Sequence, residues 1–83
     1  MKKRLGFIGI ILHDRERTAP KVNAILTEFG NMFVGRMGIP YPKNNCSVII
    51  LIVHATTDAV GQLTGRLGML ENVSVKSALS KEE

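Results

Sequence analysis

Two segments of this chain are apolar on both parities of a β-strand, and that constrains the fold more than any other feature. Val48 to Val53 is an unbroken run of leucine and β-branched residues, and Arg4 to Leu12 is a second short run rich in isoleucine. Neither has the one-sided pattern of a surface helix, and both fit strands from the middle of a sheet. Alternate side chains of a strand point to opposite faces. Leu5, Phe7 and Ile11 therefore alternate with Ile8, Ile10 and Leu12, and Val48, Ile50 and Ile52 alternate with Ile49, Leu51 and Val53. Both faces of the sheet are expected to be apolar.

The remaining elements follow from punctuation and periodicity. His13 to Thr18 reads as a polar break, and Pro20 suits the first turn of a helix, where its missing N–H costs nothing. Ala19, Val22, Ile25, Leu26 and Phe29 recur at helical spacing, and Gly30 is expected to close that helix as a left-handed cap. Asn31 opens a second strand, Met32 to Met37, and Pro40, Pro42 and Asn44-Asn45 mark a loop over Ile39 to Asn45. Thr57 can cap a second helix with Asp58 in its first turn, and Val60, Leu63, Leu67 and Leu70 form its buried stripe. Val73 to Leu79 is a final strand, and Ser80 to Glu83 is a tail with few means of being tied down.

Strand, helix, strand, strand, helix, strand is the split βαβ order of a ferredoxin-like α+β sandwich. Right-handed crossovers give a four-stranded antiparallel sheet of order 4-1-3-2 with both helices on one face. The whole chain, residues 1–83, then forms a single domain, since this length leaves no room for a second core. The face without helices still carries aliphatic side chains, and covering each is worth about 1.5–3 kcal/mol. The expected cover is another copy of the chain, with Ile10 and Ile50 as candidate interface residues. Gly61, Gly65 and Gly68 fall together on the second helix, opposite its apolar stripe, and would allow close approach of another backbone. The plain alternative is a loosely formed helix with exposed glycines.

Function classes can be narrowed from the same residues. The net charge of +4 invites a nucleic-acid reading, but only Lys2, Lys3 and Arg4 cluster. The third strand lacks the aromatic stacking residues of an RNA-recognition module. Gly35-Arg36-Met37-Gly38 spells GxxG at the end of a strand, not between two helices. Weak nucleic-acid binding is thus the third-ranked reading. No Ser/His/Asp or Cys/His catalytic arrangement and no converging carboxylates stand out, so no enzyme is expected, and no cofactor is indicated. The basic start followed by Leu5 to Leu12 superficially resembles a signal peptide, yet it leads into His13-Asp14-Arg15-Glu16-Arg17 and not a small-residue cleavage site. With no apolar run near the roughly 20 residues of a membrane span and a single cysteine, Cys46, a reducing, cytoplasmic setting is expected.

Two candidate sites emerge. A small-molecule or anion site is expected at the sheet edge carrying His13, Asp14, Arg36 and Tyr41, with Gly35 and Gly38 permitting close backbone approach; the plain alternative is an Arg36 that only solvates an edge strand and deters aggregation. A metal site could use His13 and Cys46, which the topology brings to one end of the sheet, with two copies completing four ligands. The plain alternative there is a surface histidine beside a small buried hydrophobe.

The segments Gly35-Arg36-Met37-Gly38-Ile39-Pro40-Tyr41, Leu63-Thr64-Gly65-Arg66-Leu67-Gly68 and Val73-Ser74-Val75-Lys76-Ser77-Ala78 resemble the iron-only hydrogenase system regulators. These are small ACT-like proteins, similar to the C-terminal domain of the nickel-responsive repressor. The resemblance implies a ligand- or partner-sensing regulatory module linked to that hydrogenase system and acting through oligomerisation. The Asp-Arg-Pro-Gly turn of many ACT domains is replaced by Asp14-Arg15-Glu16-Arg17-Thr18, without its glycine, and the repressor's histidine-rich metal set is not reproduced. No residues remain for a ribbon-helix-helix segment, so a transcriptional role is expected to require a partner or an unusual surface.

Overall fold

The two most apolar segments form the centre of the sheet. In the computed structural model, which describes residues 2–41 and 44–81, β1 (Arg4–His13) pairs antiparallel with β3 (Cys46–Ala55) along its whole length, from Arg4 opposite Ala55 to His13 opposite Cys46. β2 (Phe33–Tyr41) flanks β3 and β4 (Val73–Leu79) flanks β1, giving the order β2-β3-β1-β4. That is the expected 4-1-3-2 arrangement read from the other edge, and the fold is a ferredoxin-like α+β sandwich. Helices α1 (Arg15–Glu28) and α2 (Thr57–Gly68) both lie on one face.

Beneath them the core is built from the even residues of β1 and the odd residues of β3. Ile8, Ile10, Leu12, Leu51 and Val53 are fully buried against Val22 and Leu26 of α1 and Leu63 and Leu67 of α2. Ile10 therefore belongs to this intramolecular core and not to an interface, while Ile50 faces the other way and is half-buried. Leu70 packs on the core from just beyond the end of α2.

Local chemistry shifts several boundaries. α1 begins at Arg15, so the expected polar break is its first turn, closed by the Asp14 carbonyl accepting from the N–H groups of Arg17 and Thr18. Its polarity reflects the exposure of Arg15, Glu16 and Arg17, while Thr18 is buried and its hydroxyl donates to the His13 carbonyl at 2.9 Å. Pro20 consequently sits in the second turn, where it removes one i→i−4 hydrogen bond. Gly30 is not a left-handed cap: no glycine among the described residues has positive φ. The helix closes instead through Phe29, and Gly30–Met32 form a 3₁₀ turn that delays β2 to Phe33. The left-handed positions are taken by Asp14, Asn45 and Asn72, residue types that tolerate this region. Thr56, not Thr57, caps α2, its hydroxyl accepting the Ala59 N–H at 3.1 Å. β2 continues through Ile39 and Pro40 to Tyr41, which an edge strand permits because proline need not donate to a neighbour there. The expected Pro42 turn and the last two residues of the tail lie outside the described residues.

Candidate functional site

Strand register sets out the uncovered face of the sheet as a grid. Along β1 it carries Leu5, Phe7, Gly9, Ile11 and His13, and along β3 Cys46, Val48, Ile50, Ile52 and His54. β2 adds Gly35, Met37, Ile39 and Tyr41, and β4 adds Ser74, Lys76 and Ala78. Phe7 lies opposite Ile52, and Met37 opposite Ile50. Phe7 is 52% exposed, Met37 56% and Ile39 55%, although each belongs to a residue type usually buried. No Asp or Glu occupies the grid. The face is a continuous apolar surface with one lysine at its β4 edge.

The surface is not flat. One hollow of about 410 Å³ is bounded by Leu5, Phe7, Ile52 and Ala78. A second, of about 200 Å³, lies beside Gly9, Ile11, Val48, Ile50 and Ser74. A Cβ atom at Gly9 would meet nothing nearer than Ile50 Cδ1 at 3.6 Å, an ordinary contact. The chain's own packing therefore does not require glycine there. A glycine inside an apolar strand was the sequence signal for this hollow.

His13 and Cys46 are cross-strand partners at one end of the same face. The Cys46 sulfur lies 3.2 Å from His13 Nδ1 and donates to the Asn44 carbonyl at 3.1 Å. The thiol is buried and the histidine exposed. Among the described residues no group of three or more His, Cys, Asp or Glu side chains is gathered as a metal site would need.

The residues expected to form one ligand site fall on both sides of the sheet. His13, Gly35 and Tyr41 belong to the uncovered face. Arg36 and Gly38 alternate with them and point to the helix side, where Arg36 Nη2 donates to Asn23 Oδ1 of α1 at 2.6 Å. Asp14 sits at the corner before α1, 3.8 Å from Arg17. Gly61 and Gly65 of α2 look onto open space, whereas a side chain at Gly68 would meet Val75 of β4 at 3.8 Å. No helix among the described residues is long and apolar enough to cross a membrane.

Residues 4–77 match the model of a family described as TM1266-like, "Iron-only hydrogenase system regulator, putative". The chain is similar to the uncharacterized protein TM1266 from Thermotoga maritima, with 32% identity, a TM-score of 0.92, and coverage of 96% of this chain and 100% of that one. It shares its fold with the C-terminal domain of MgtC from Mycobacterium tuberculosis, at a TM-score of 0.69, 13% identity and coverage of 95% and 89%. It also shares it with CPII, a nitrogen regulatory PII-like protein from Thiomonas intermedia K12, at a TM-score of 0.56, 16% identity and coverage of 93% and 91%. No curated protein matches the sequence.

Proposed function

Since the chain belongs to the TM1266-like family of iron-only hydrogenase system regulators, we propose that it is a non-catalytic regulatory module whose working unit is an oligomer joined through the uncovered sheet face. The observation that carries this reading is the row Leu5, Phe7, Ile11, Met37, Ile39, Val48 and Ile52, all left in solvent by the single chain. A contiguous apolar patch of this kind marks an interaction surface. A second copy is the favoured cover because the face supplies both projections and hollows. Phe7 and Met37 are more than half exposed, while Gly9, Ser74 and Ala78 leave room, so a twofold-related copy can fill each hollow with the other's side chains. No carboxylate opposes itself across such a contact. A standard interface needs about 800 Å² per partner, a modest share of the 5518 Å² that this chain exposes. Sensing of a ligand or partner would then act by favouring one assembly state over another.

Light scattering at micromolar concentration tests the reading. The wild type should have at least a dimer's mass, and Phe7→Asp should be monomeric with its helical circular dichroism retained. A monomeric wild type overturns it.

The His13–Cys46 contact supports a second reading, metal sensing. One pair supplies two of the four ligands of a closed zinc-type site, so the site would be completed by a second copy. Titration with zinc or nickel should then show saturable binding at half a metal per chain, abolished in both His13→Ala and Cys46→Ala.

A further inference from the structure

A groove of about 200 Å³ lies on the opposite side of the sheet, between α1 and the β2 edge. Arg15, Ala19 and Asn23 recur every four residues, hence on one face of α1, and form one wall. Arg36, Gly38 and Pro40, the helix-side residues of β2, form the other, with Leu12, Ser47 and Ile49 beneath them.

Three features of this lining point to one kind of ligand. It includes two arginines and no Asp or Glu. The ion pairs found among the described residues, Arg17–Asp14 and Arg66–Glu28, involve neither Arg15 nor Arg36. Arg36 is instead braced by the neutral Asn23 amide at 2.6 Å, which holds it over the groove without cancelling its charge. At the base, Ser47 is only 8% exposed, and its register turns it to the helix side. No hydrogen bond of its hydroxyl is found among the described residues, although it is not sealed from solvent. A hydroxyl that reaches the groove and bonds to no protein group is free to donate to a ligand there. Apolar contact from Ala19, Pro40 and Ile49 surrounds these polar groups.

The volume sets the size. At about 30 Å³ per water, the groove holds the equivalent of six or seven waters. That is below the roughly 300–1,000 Å³ of pockets for drug-sized molecules. Planar guanidinium donors match carboxylate and phosphate oxygens alike.

We infer that the groove between α1 and β2 is a binding site for a small oxyanion, a carboxylate or phosphate with at most a few carbons, held by Arg15, Arg36 and the Ser47 hydroxyl. Asn23 acts as a positioning residue for Arg36. The groove faces away from the apolar sheet face, so this inference stands apart from self-association.

Backbone amide shifts of the full chain, followed during titration with inorganic phosphate and with succinate at constant ionic strength, test it. Saturable shifts at Arg15, Gly38, Ser47 and Ile49 are expected, and whichever probe saturates identifies the oxyanion. Arg36→Gln should weaken binding by about tenfold or more, as expected for loss of a charge-assisted contact. Gly38→Leu provides an independent block. Its Cβ would lie 3.8 Å from Ile49 Cγ1, an ordinary contact, while the rest of the side chain fills the groove. It should abolish binding with little change in the thermal midpoint. Shifts that never saturate, that are equal in wild type and Arg36→Gln, or that centre on another region overturn the assignment. Light scattering on the same samples reports association separately.

Discussion

The two faces of the central strands are nearly equal in composition and opposite in circumstance. Leu51 and Ile52 are neighbours on β3, yet Leu51 is fully buried under the helices while Ile52 keeps 39% of its surface in solvent. On β1, Ile10 and Ile11 divide in the same way. The difference teaches that hydrophobicity along a strand reports demand for burial without saying what supplies it. On one face the demand is met within the chain, and on the other the single chain leaves it unmet. Substitutions on the two faces should therefore fail in different assays.

Leu51→Ala should give the largest effect. Removing a fully buried leucine costs about 2–5 kcal/mol, a large part of the roughly 5–15 kcal/mol that stabilises a typical domain. Urea unfolding should show it at every protein concentration. Ile52→Ala should lose far less from the monomer and should instead make the unfolding midpoint depend more weakly on concentration, since association contributes stability by mass action. Equal, concentration-independent losses at both positions would break the comparison.

Next in size is Gly9→Leu. The backbone there is free of positive φ, and a Cβ meets only an ordinary contact. The substitution should leave the monomer folded while filling the hollow that a second copy is proposed to enter. Size-exclusion chromatography with light scattering should show dissociation without loss of secondary structure. A fully associated Gly9→Leu would direct attention to the opposite end of the face, around Leu5 and Ala78.

Much of this fold was legible in the sequence because its strongest signals are periodic. The double apolar parity of Arg4–Leu12 and Val48–Val53 located the central strands, and the crossover rule then ordered all four. The bounds of β4 coincide with the expected Val73–Leu79. What escaped was local backbone chemistry. The first turn of α1 is polar because Arg15, Glu16 and Arg17 stay in solvent and its one buried side chain, Thr18, is a hydroxyl bonded to backbone, so hydrophobic periodicity could not see Arg15 to Thr18. Gly30 attracted a left-handed assignment that Asp14, Asn45 and Asn72 hold instead. The groove was less visible still. It is made where Arg15, Ala19 and Asn23 meet alternate residues of an edge strand thirteen or more positions away, and only the register of β2 decides that Arg36 and Gly38 share a face. The available signals were the four-residue spacing on α1 and Ser47, the polar residue just inside the most apolar strand.

Gly65→Ala should act in the other direction. The glycine lies in the exposed part of α2 with open space where a side chain would stand, and alanine is the better helix former by about 1 kcal/mol. For a domain of this size that corresponds to a rise of about 4–8 °C in Tm. A rise with unchanged mass assigns the glycine face to a loosely formed helix. A loss of mass would instead make α2 a second contact surface and sharpen the distinction between the two sides of the sheet.

The smallest effect is expected where, among the described residues, the helix layer is joined by charge. Arg66 near the end of α2 donates from Nη1 and Nη2 to the two Glu28 carboxylate oxygens of α1, at 3.0 and 2.8 Å, and stacks over Phe29 at 5.7 Å. These hydrogen bonds, followed by the charge of Arg66, hold the Glu28 carboxyl below its ordinary pKa. A carboxyl depressed in the folded state contributes stability that is present above its unfolded pKa and is lost as the pH falls through the lower, folded value. Acidification from neutrality should therefore destabilise the wild type slightly more than Glu28→Gln. Both groups lie in solvent, where pairing is screened and exposed ion pairs contribute little, so the divergence should shrink further in high salt. Thermal melts of the two proteins across the acidic range, at low and high ionic strength, measure it. If Glu28→Gln at neutral pH cost as much as Leu51→Ala, the covered face would owe its stability to the clasp between its helices, and the contrast in burial between the two faces would no longer explain why one is closed and the other open.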